Sequence, residues 1–332
     1  MKQILMILFP PDAYLWAMAA VMLLLTLALL WLCRRARRRW WRLPALLLIV
    51  LGWYVLVYGT FFGVSDIKVR QVEFASADLP AAFDGYRIVH FGDAHVGSFN
   101  GWRESILSRA VDSINAQHPD LIVFTGDLQN KVPDEIESHL GQLRRLKAPD
   151  GVFSVMGNHD YPLYSDRDDF QKTADLGRTM SAEQEMGWYL LNNTWRRIRR
   201  NQQSIVIAGM ENDGEGRFPQ LGNVASALTG LRRESFVVML EHDPTSWRRK
   251  ILPHSHCQLT LSGHTHGGQL SLFGWSPAGL RFREHSGMYY AGQRAINVTT
   301  GIGGVVPFRF GTPPEIVVIT LRSKRGKVRG ER

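Results

Sequence analysis

Cysteine is almost missing from this chain: its 332 residues include two, Cys33 and Cys257. One falls at the end of an apolar run and the other stands alone in the long segment after it, so an intradomain disulfide and a thiolate-based metal site are both excluded. Charge is missing from two stretches, 13–33 and 43–63, each 21 residues long. At about 1.5 Å of helical rise per residue, each spans about 31 Å, enough to cross a bilayer. A cleaved signal peptide is the competing reading of the first run. Pro10 and Pro11 precede it, Lys2 is the only basic residue ahead of it, and no small-residue cleavage site comes after it, so two retained transmembrane helices are predicted.

The connection 34-RRARRRWWR-42 holds six arginines and two tryptophans. Short arginine-rich loops stay in the cytoplasm, and tryptophan settles at the headgroup level, so this loop is assigned inside and both termini outside. In a bacterium with two membranes, the C-terminal domain would then face the periplasm from the inner membrane.

A basic body is also lacking, although the net charge is +9. Residues 1–64 carry +6 and 322–332 carry +5, which leaves −2 for everything between. A protein that tracks a phosphate backbone shows basic surface on its folded body, so nucleic acid is a disfavoured partner. The predicted organisation is a membrane anchor over 1–66, one domain over 67–321, and a basic, disordered tail over 322–332. No internal repeat is present.

Within the domain, apolar runs and amphipathic stretches alternate. Strands are expected at 67–75, 86–93, 121–127, within 151–160, at 204–210, 236–243 and 259–261, with helices near 102–117, 133–146, 221–228 and 246–252. That alternation argues for βαβ units and a parallel sheet. After Gly268 the helical pattern stops, and strands over 288–300 and 315–321 suggest a more antiparallel second half. Residues 161–186 are polar and read as a loop with a short helix, either a flap beside the site or a surface insertion.

Each core strand ends in a polar residue that can ligate a metal: Asp93 and His95, Asp127, Asn158 and His159, His242, then His264 and His266. Ligands of open α/β sheets bind at the carboxyl ends of strands, so these residues are expected to converge. In 261-LSGHTHGGQL-270 the two histidines stand at i and i+2, which in an extended segment would aim both rings the same way. Carboxylate, amide and imidazole donors without thiolate suit Mn, Fe or Zn, and their number suits two ions.

Asp93-Ala-His95, Gly126-Asp127, Gly157-Asn158-His159-Asp160, His242 and Gly263-His264-Thr265-His266 resemble, in order, the motifs of the calcineurin-like metallophosphoesterases. The stretches 84-DGYRIVHFGDAHVG-97 and 263-GHTHGGQ-269 look most like the membrane-anchored bacterial YkuE/YaeI-type branch. The resemblance covers about residues 68–321. It implies an α/β fold, a β-sandwich flanked by helices, preceded here by the two transmembrane helices. It also implies two divalent ions: Asp93, His95 and His266 on one, Asn158, His242 and His264 on the other, and Asp127 between them. A hydroxide held between the ions would attack phosphorus, with His159 as the catalytic residue that stabilises or protonates the leaving group, a role worth about 10²–10⁴ in rate. Two positions depart from the family pattern. Ala94 replaces a bulkier apolar residue, and Asn130 stands where many members carry aspartate, which withdraws carboxylate support for His159 from that side.

Asp160 is a further candidate, as a residue that orients a ligand. His254 and His256 read as ordinary loop residues, His90, His118, His139 and His285 match no motif, and 301-GIG-303 reads as a turn because no lysine and helix come after it. The resulting expectation is a metal-dependent phosphodiesterase acting on phosphate esters at a membrane surface, lipid-linked esters included. The alternatives are a tethered metal-binding or sensory protein without turnover, and a nuclease.

Overall fold

The computed structural model describes residues 10–35 and 39–324. Residues 1–9, the middle of the arginine loop and the tail from residue 325 onward lie outside the described residues, whereas Arg322 and Ser323, assigned to the disordered tail, belong to the last strand, Glu315–Ser323. Helix α1 (Pro11–Arg35) begins with Asp12 in its first turn and ends on Arg34 and Arg35, charges that complement its macrodipole. No residue of α1 is buried, and α2 (Arg42–Val57) buries Leu56 alone. A core helix of a soluble protein would be covered by its own fold, whereas these two leave apolar surface open on every side. Helix α1, and α2 taken with the helical turns that continue it to Ser65, are long and apolar enough to cross a membrane.

The pair is antiparallel. Trp53 Nε1 donates to Thr26 Oγ1 at 3.1 Å, and Gly52 faces Met22 so closely that a Cβ there would lie 2.5 Å from the methionine methyl. At the other end of α1, Asp12 pairs with Arg103 of the domain at 2.8 Å. From α2 the chain continues through a π-helical turn, Tyr58–Phe62, and a 3-10 turn, Gly63–Ser65, straight into the first strand. Arg35 and Arg42, the helix ends nearest each other in sequence, therefore sit at the opposite end of the helix pair from the domain.

Among the described residues, twelve strands form two six-stranded sheets. In chain order they are β1 (Lys68–Ser76), β2 (Arg87–Phe91), β3 (Leu121–Phe124), β4 (Val152–Ser154), β5 (Tyr189–Leu190), β6 (Thr194–Arg200), β7 (Gln203–Gly209), β8 (Val237–Leu240), β9 (Leu259–Ser262), β10 (Gly287–Ala291), β11 (Arg294–Val298) and β12 (Glu315–Ser323). One sheet runs β1-β12-β2-β3-β4-β5 and the other β10-β11-β9-β8-β7-β6. Side-chain alternation assigns the faces: Ile88, Leu121 and Val123 meet Ile205, Ile207, Val238 and Leu240 between the sheets. The intervening Val89, Ile122 and Phe124 pack outward under α3 (Glu104–Asn115), while Val206, Val237 and Met239 pack under Trp247 and Ile251. Strands buried on both faces read as unbroken apolar runs, which is why they are legible in the sequence. The architecture is a β-sandwich flanked by helices.

Four expectations change. The second sheet is mainly parallel: β7, β8, β9 and β11 run together, and antiparallel pairing is confined to its outer hairpins, β6/β7 and β10/β11. The last strand instead returns to the first sheet, parallel to β1 and antiparallel to β2. The helix expected over 133–146 is two single turns, α4 (Asp134–Glu137) and α5 (Leu140–Leu143), because the buried His139 ring leaves the helical path to meet Phe99 O at 3.1 Å. The predicted loop over 161–186 contains a 17-residue helix, α6 (Asp169–Glu185), started by a capping box between Asp168 and Gln171. Its buried face is largely polar, Asp175, Thr179, Ala182 and Glu183, so no apolar stripe announces it. Strand β6, TWRRIRR, escaped prediction because its exposed arginines mask the alternation.

Glu183 supplies a pH-dependent cost. It is fully buried, one carboxylate oxygen accepts from Ser154 Oγ, and the other has no partner. Burial, then the Asp160 charge, push its carboxyl up to about 8, so the folded state keeps a proton that the unfolded chain loses near the ordinary value of 4.5. Between those values folding stability falls as pH rises, by about 1.4 kcal/mol for each pH unit. Glu183→Gln is expected to raise Tm at pH 8, with a gain of about 2–4 kcal/mol that vanishes toward pH 4.5, measured by thermal unfolding across that range.

Candidate metal centre

The loops that follow β2 and β3 are laced together by backbone hydrogen bonds. Asp93 N donates to Gly126 O at 2.9 Å, His95 N to Asp127 O at 3.0 Å and Val96 N to Leu128 O at 2.9 Å. Asp93, His95 and Asp127, and His264 and His266 after β9, all have positive φ, between 45° and 71°. Non-glycine residues are held there only where surrounding structure over-determines them. The Asp160 carboxylate is one such restraint: it accepts from Asp127 N, Leu128 N and Gly157 N, each at 2.8 Å, and so binds the β3 loop to the β4 loop. Gly157 and Gly263 make the approach possible, since a Cβ at either would lie 2.3–2.4 Å from a carboxylate oxygen of Asp127 or Asp93.

Six of the seven sequence-predicted residues converge at the carboxyl ends of β2, β3, β8 and β9, and the seventh, Asn158, follows β4 directly before His159, whose backbone N donates to Asp127 Oδ1 at 2.8 Å. Asp93, His95, Asp127 and His266 bring one donor atom each within 4.8 Å of one another, as do Asp127, His242 and His264. Asp127 Oδ2 belongs to both groups, 3.5 Å from His95 Nε2 and 3.2 Å from His242 Nε2. The His264 to His266 segment is not extended. It is a turn with left-handed backbone at both histidines, so one ring joins each group instead of both aiming the same way.

Electrostatics keep most of the imidazoles neutral in the absence of a cation. Burial lowers His95 to about 3 and His264 to about 4, and burial with help from His95 holds His266 well below the ordinary imidazole value. His242 is the exception, because burial is overridden by the Asp127 charge and hydrogen bond, which push it up to about 10. Burial opposes ionisation of Asp127, yet His242, His159 and His95 around it hold it well below the usual carboxylate range. Several buried donors have no hydrogen-bond partner: both ring nitrogens of His95, His266 Nδ1 and Asn158 Oδ1. Buried polar atoms are normally satisfied, so unpartnered lone pairs on both sides of one carboxylate fit a cationic occupant. Asn158 Nδ2 donates to Tyr164 Oη at 2.9 Å, which leaves the buried Oδ1 without a partner and available as a ligand.

A profile of the calcineurin-like phosphoesterases matches residues 86–268, more than half the chain. The chain belongs to this family. It is 33% identical over 279 residues, 80% of its length and 89% of the relative's, to the uncharacterised metallophosphoesterase YkuE of Bacillus subtilis. It is 30% identical over 292 residues, 83% of its length and 62% of the relative's, to a zebrafish (Danio rerio) protein described as a transmembrane protein with metallophosphoesterase domain. Among solved structures, the phosphopantetheinyl hydrolase PptH of Mycobacterium tuberculosis aligns at 14% identity with a TM-score of 0.41, over 64% of this chain and 88% of its own. Calcineurin-like phosphoesterases bind a dinuclear divalent metal centre, and the two donor groups sharing Asp127 have the composition for one.

Supporting residues beyond the motifs are numerous. His159 Nδ1 donates to Asn130 O at 2.7 Å, and its ring stacks on Tyr164 with centroids 4.2 Å apart. Support therefore comes from the Asn130 backbone, and the side chain that departs from the family pattern turns to Ser98 instead. Tyr164 places the front of the 161–185 segment against the site, whereas the remainder is helix α6. Asp243 approaches His264 Nε2 at 3.5 Å from the side opposite His242. Fully buried Arg309 donates to Thr300 O at 2.8 Å and reaches Gly301, Gly303 and His266 carbonyls. The 301–303 turn that it grips holds the Asp93 loop, Gly303 N donating to Asp93 O at 2.9 Å. The adjacent 241-EHD-243 motif contained a signal for Asp243; nothing near Arg309 in sequence announced its role. His90 is a core histidine between Thr125 and Asn297, as expected of a residue outside the motifs.

Asp127→Ala is expected to abolish stoichiometric binding of both ions and Asn158→Ala to remove one, measured by elemental analysis of purified protein. Asp160→Ala, which removes loop restraint and no donor, is expected to weaken metal affinity by about 10–100-fold.

Proposed function

We propose that the protein is a divalent-metal-dependent phosphodiesterase that cleaves phosphate esters at the extracytoplasmic surface of a cell membrane. The observation that carries this reading is one buried carboxylate oxygen, Asp127 Oδ2, shared between two sets of donors with unpartnered lone pairs, next to an imidazole of fixed orientation. When bound, two divalent ions would supply Lewis acidity toward the phosphoryl oxygens and acidify a water. The oxygen and nitrogen donors favour Mn, Zn or Fe.

The chain's own residues position and protonate. His159 holds its Nδ1 proton on Asn130 O, which leaves Nε2 as the atom that takes up and gives a proton to the departing oxygen. Tyr164, packed flat on His159, and Phe218 and Phe282, whose rings lie 4.8 Å and 5.5 Å from His264, form an aromatic rim. A diester's second substituent has apolar surface to contact there, which supports the diester reading. The body charge of −2 disfavours a nuclease.

Membrane placement is supported by the two unburied apolar helices, and orientation by the arginine-rich connection at the end away from the domain. The anchor over 1–66 and the domain over 67–321 are accordingly one functional unit in a bacterial inner membrane, with the centre facing the periplasm.

His159→Ala is expected to retain metal while lowering kcat on a chromogenic diester by about 10²–10⁴-fold. Unchanged turnover removes the assigned role. A reporter active only outside the cytoplasm, fused after Arg332, is expected to be active, and a silent fusion at normal expression reverses the orientation.

A further inference from the structure

Residues 267–280, GGQLSLFGWSPAGL, contain no charge, and Arg281 and Arg283 come directly after. Within them Leu272 and Trp275 pair across a two-residue turn, Leu272 N to Trp275 O at 2.9 Å and the reciprocal bond at 3.0 Å. Phe273 and Gly274, both at positive φ, form the tip, the geometry of a tight hairpin turn. The tip is apolar and open: Phe273 is fully exposed, Leu280 is 79% exposed and Trp275 55%. A fully exposed phenylalanine at φ +51° contributes no packing to the fold.

The surroundings identify what covers it. The hairpin stem pairs with Phe310, Ser271 N donating to Phe310 O at 2.8 Å and Phe310 N to Gln269 O at 2.9 Å. The Phe310 ring stands edge-on to Tyr54 and Tyr58, centroids 6.1 Å and 5.7 Å away, in the second half of the Arg42–Ser65 apolar span. A ring that meets residues of the span lies no farther out than the interface where tyrosine settles. Phe273 comes three residues after Leu270, a reach of about 10 Å, so the tip lies within one headgroup layer of that ring. Exposed Phe61 and Phe62 at the end of the anchor, with Trp102 stacked on Phe61 at 6.1 Å, extend the same aromatic level onto the domain.

We infer that the 270–280 hairpin is a second membrane contact, inserting Phe273, Trp275 and Leu280 into the leaflet that α2 exits, with Arg281 and Arg283 at its anionic headgroups. Both ends of the loop are rooted at the metal centre: it begins at His264 and His266, and it returns through Phe282 beside His264. Seating the hairpin therefore sets the centre against the bilayer surface. The substrate class this implies is a phosphate ester carried by a membrane-embedded molecule. This consequence rests on the phosphodiesterase and membrane-anchor readings above; the insertion rests on the anchor alone.

The test uses the full chain, with Cys33→Ser and Cys257→Ala, in vesicles of phosphatidylcholine and phosphatidylglycerol. Phe273→Cys carries an environment-sensitive fluorophore, and Arg233→Cys, in the turn before β8 at the other end of the sheet, is the control. Position 273 is expected to emit to the blue of position 233 and to be quenched by a lipid-borne shallow nitroxide in preference to aqueous iodide. Equal iodide quenching at both positions overturns the insertion. In parallel, Phe273→Asp with Trp275→Asp is expected to keep its kcat on a soluble chromogenic diester within about twofold, and to lose about tenfold in rate on phosphatidyl-p-nitrophenol in the same vesicles. Equal loss on both substrates, or no loss on vesicles, overturns the link to the centre. If the parent chain hydrolyses neither substrate, the phosphodiesterase reading fails, and the fluorescence readout alone decides the insertion.

Discussion

The structure is organised around the cost of burying charge. Asp127 lies out of solvent at the end of a fully apolar strand and stays ionised because histidines surround it. Such an arrangement is expensive unless every partner is held in place, since a carboxylate in a low-dielectric interior loses far more solvation than one hydrogen bond returns. The fold meets that cost by restraint from several directions: Asp160 gripping the backbone of two loops, Thr125 O fixing the His242 ring at 2.7 Å, and Arg309 holding the turn behind Asp93. Left-handed backbone at five of the candidate ligands is the local consequence of aiming so many side chains at one point.

Much of this was legible in the sequence because two simple signals coincide. Strands such as 121-LIVF-124 are buried on both faces and so appear as unbroken apolar runs, and a residue able to ligate sits where each run stops. What was not legible came from groups whose contribution has no characteristic residue type. Backbone support for His159 from Asn130 O is one, and the polar contacts that bury one face of α6 are another. The direction of β11 is a third, since a strand's own residues do not say whether its neighbour runs with it or against it. Arg309 shows the limit most clearly, because a buried arginine in a loop looks in sequence like any surface arginine.

The N-terminal helices and the candidate centre share structure. Arg309 N donates to Gly59 O at 2.9 Å, while Gly59 and Gly63 lie so close to Phe308 and the Arg309 carbonyl that a Cβ would meet them at 2.2 Å and 1.7 Å. The residue that braces the Asp93 loop is thus bonded through its backbone to the end of α2. A domain tethered by a flexible linker would tumble above its helices, but here the last turn of the anchor is packed into the wall of the site. Orientation of the centre is fixed by close packing and does not depend on linker length.

Strand β6 gives the second sheet an outer border of arginines, with Arg196, Arg197, Arg199 and Arg200 along seven residues. In the plane of a bilayer, copies of a protein meet side by side and at similar heights, the geometry that most favours one sheet adding to the next. A border of like charges repels its own image, so at the bilayer proposed for this protein β6 would resist pairing with the β6 of a second copy.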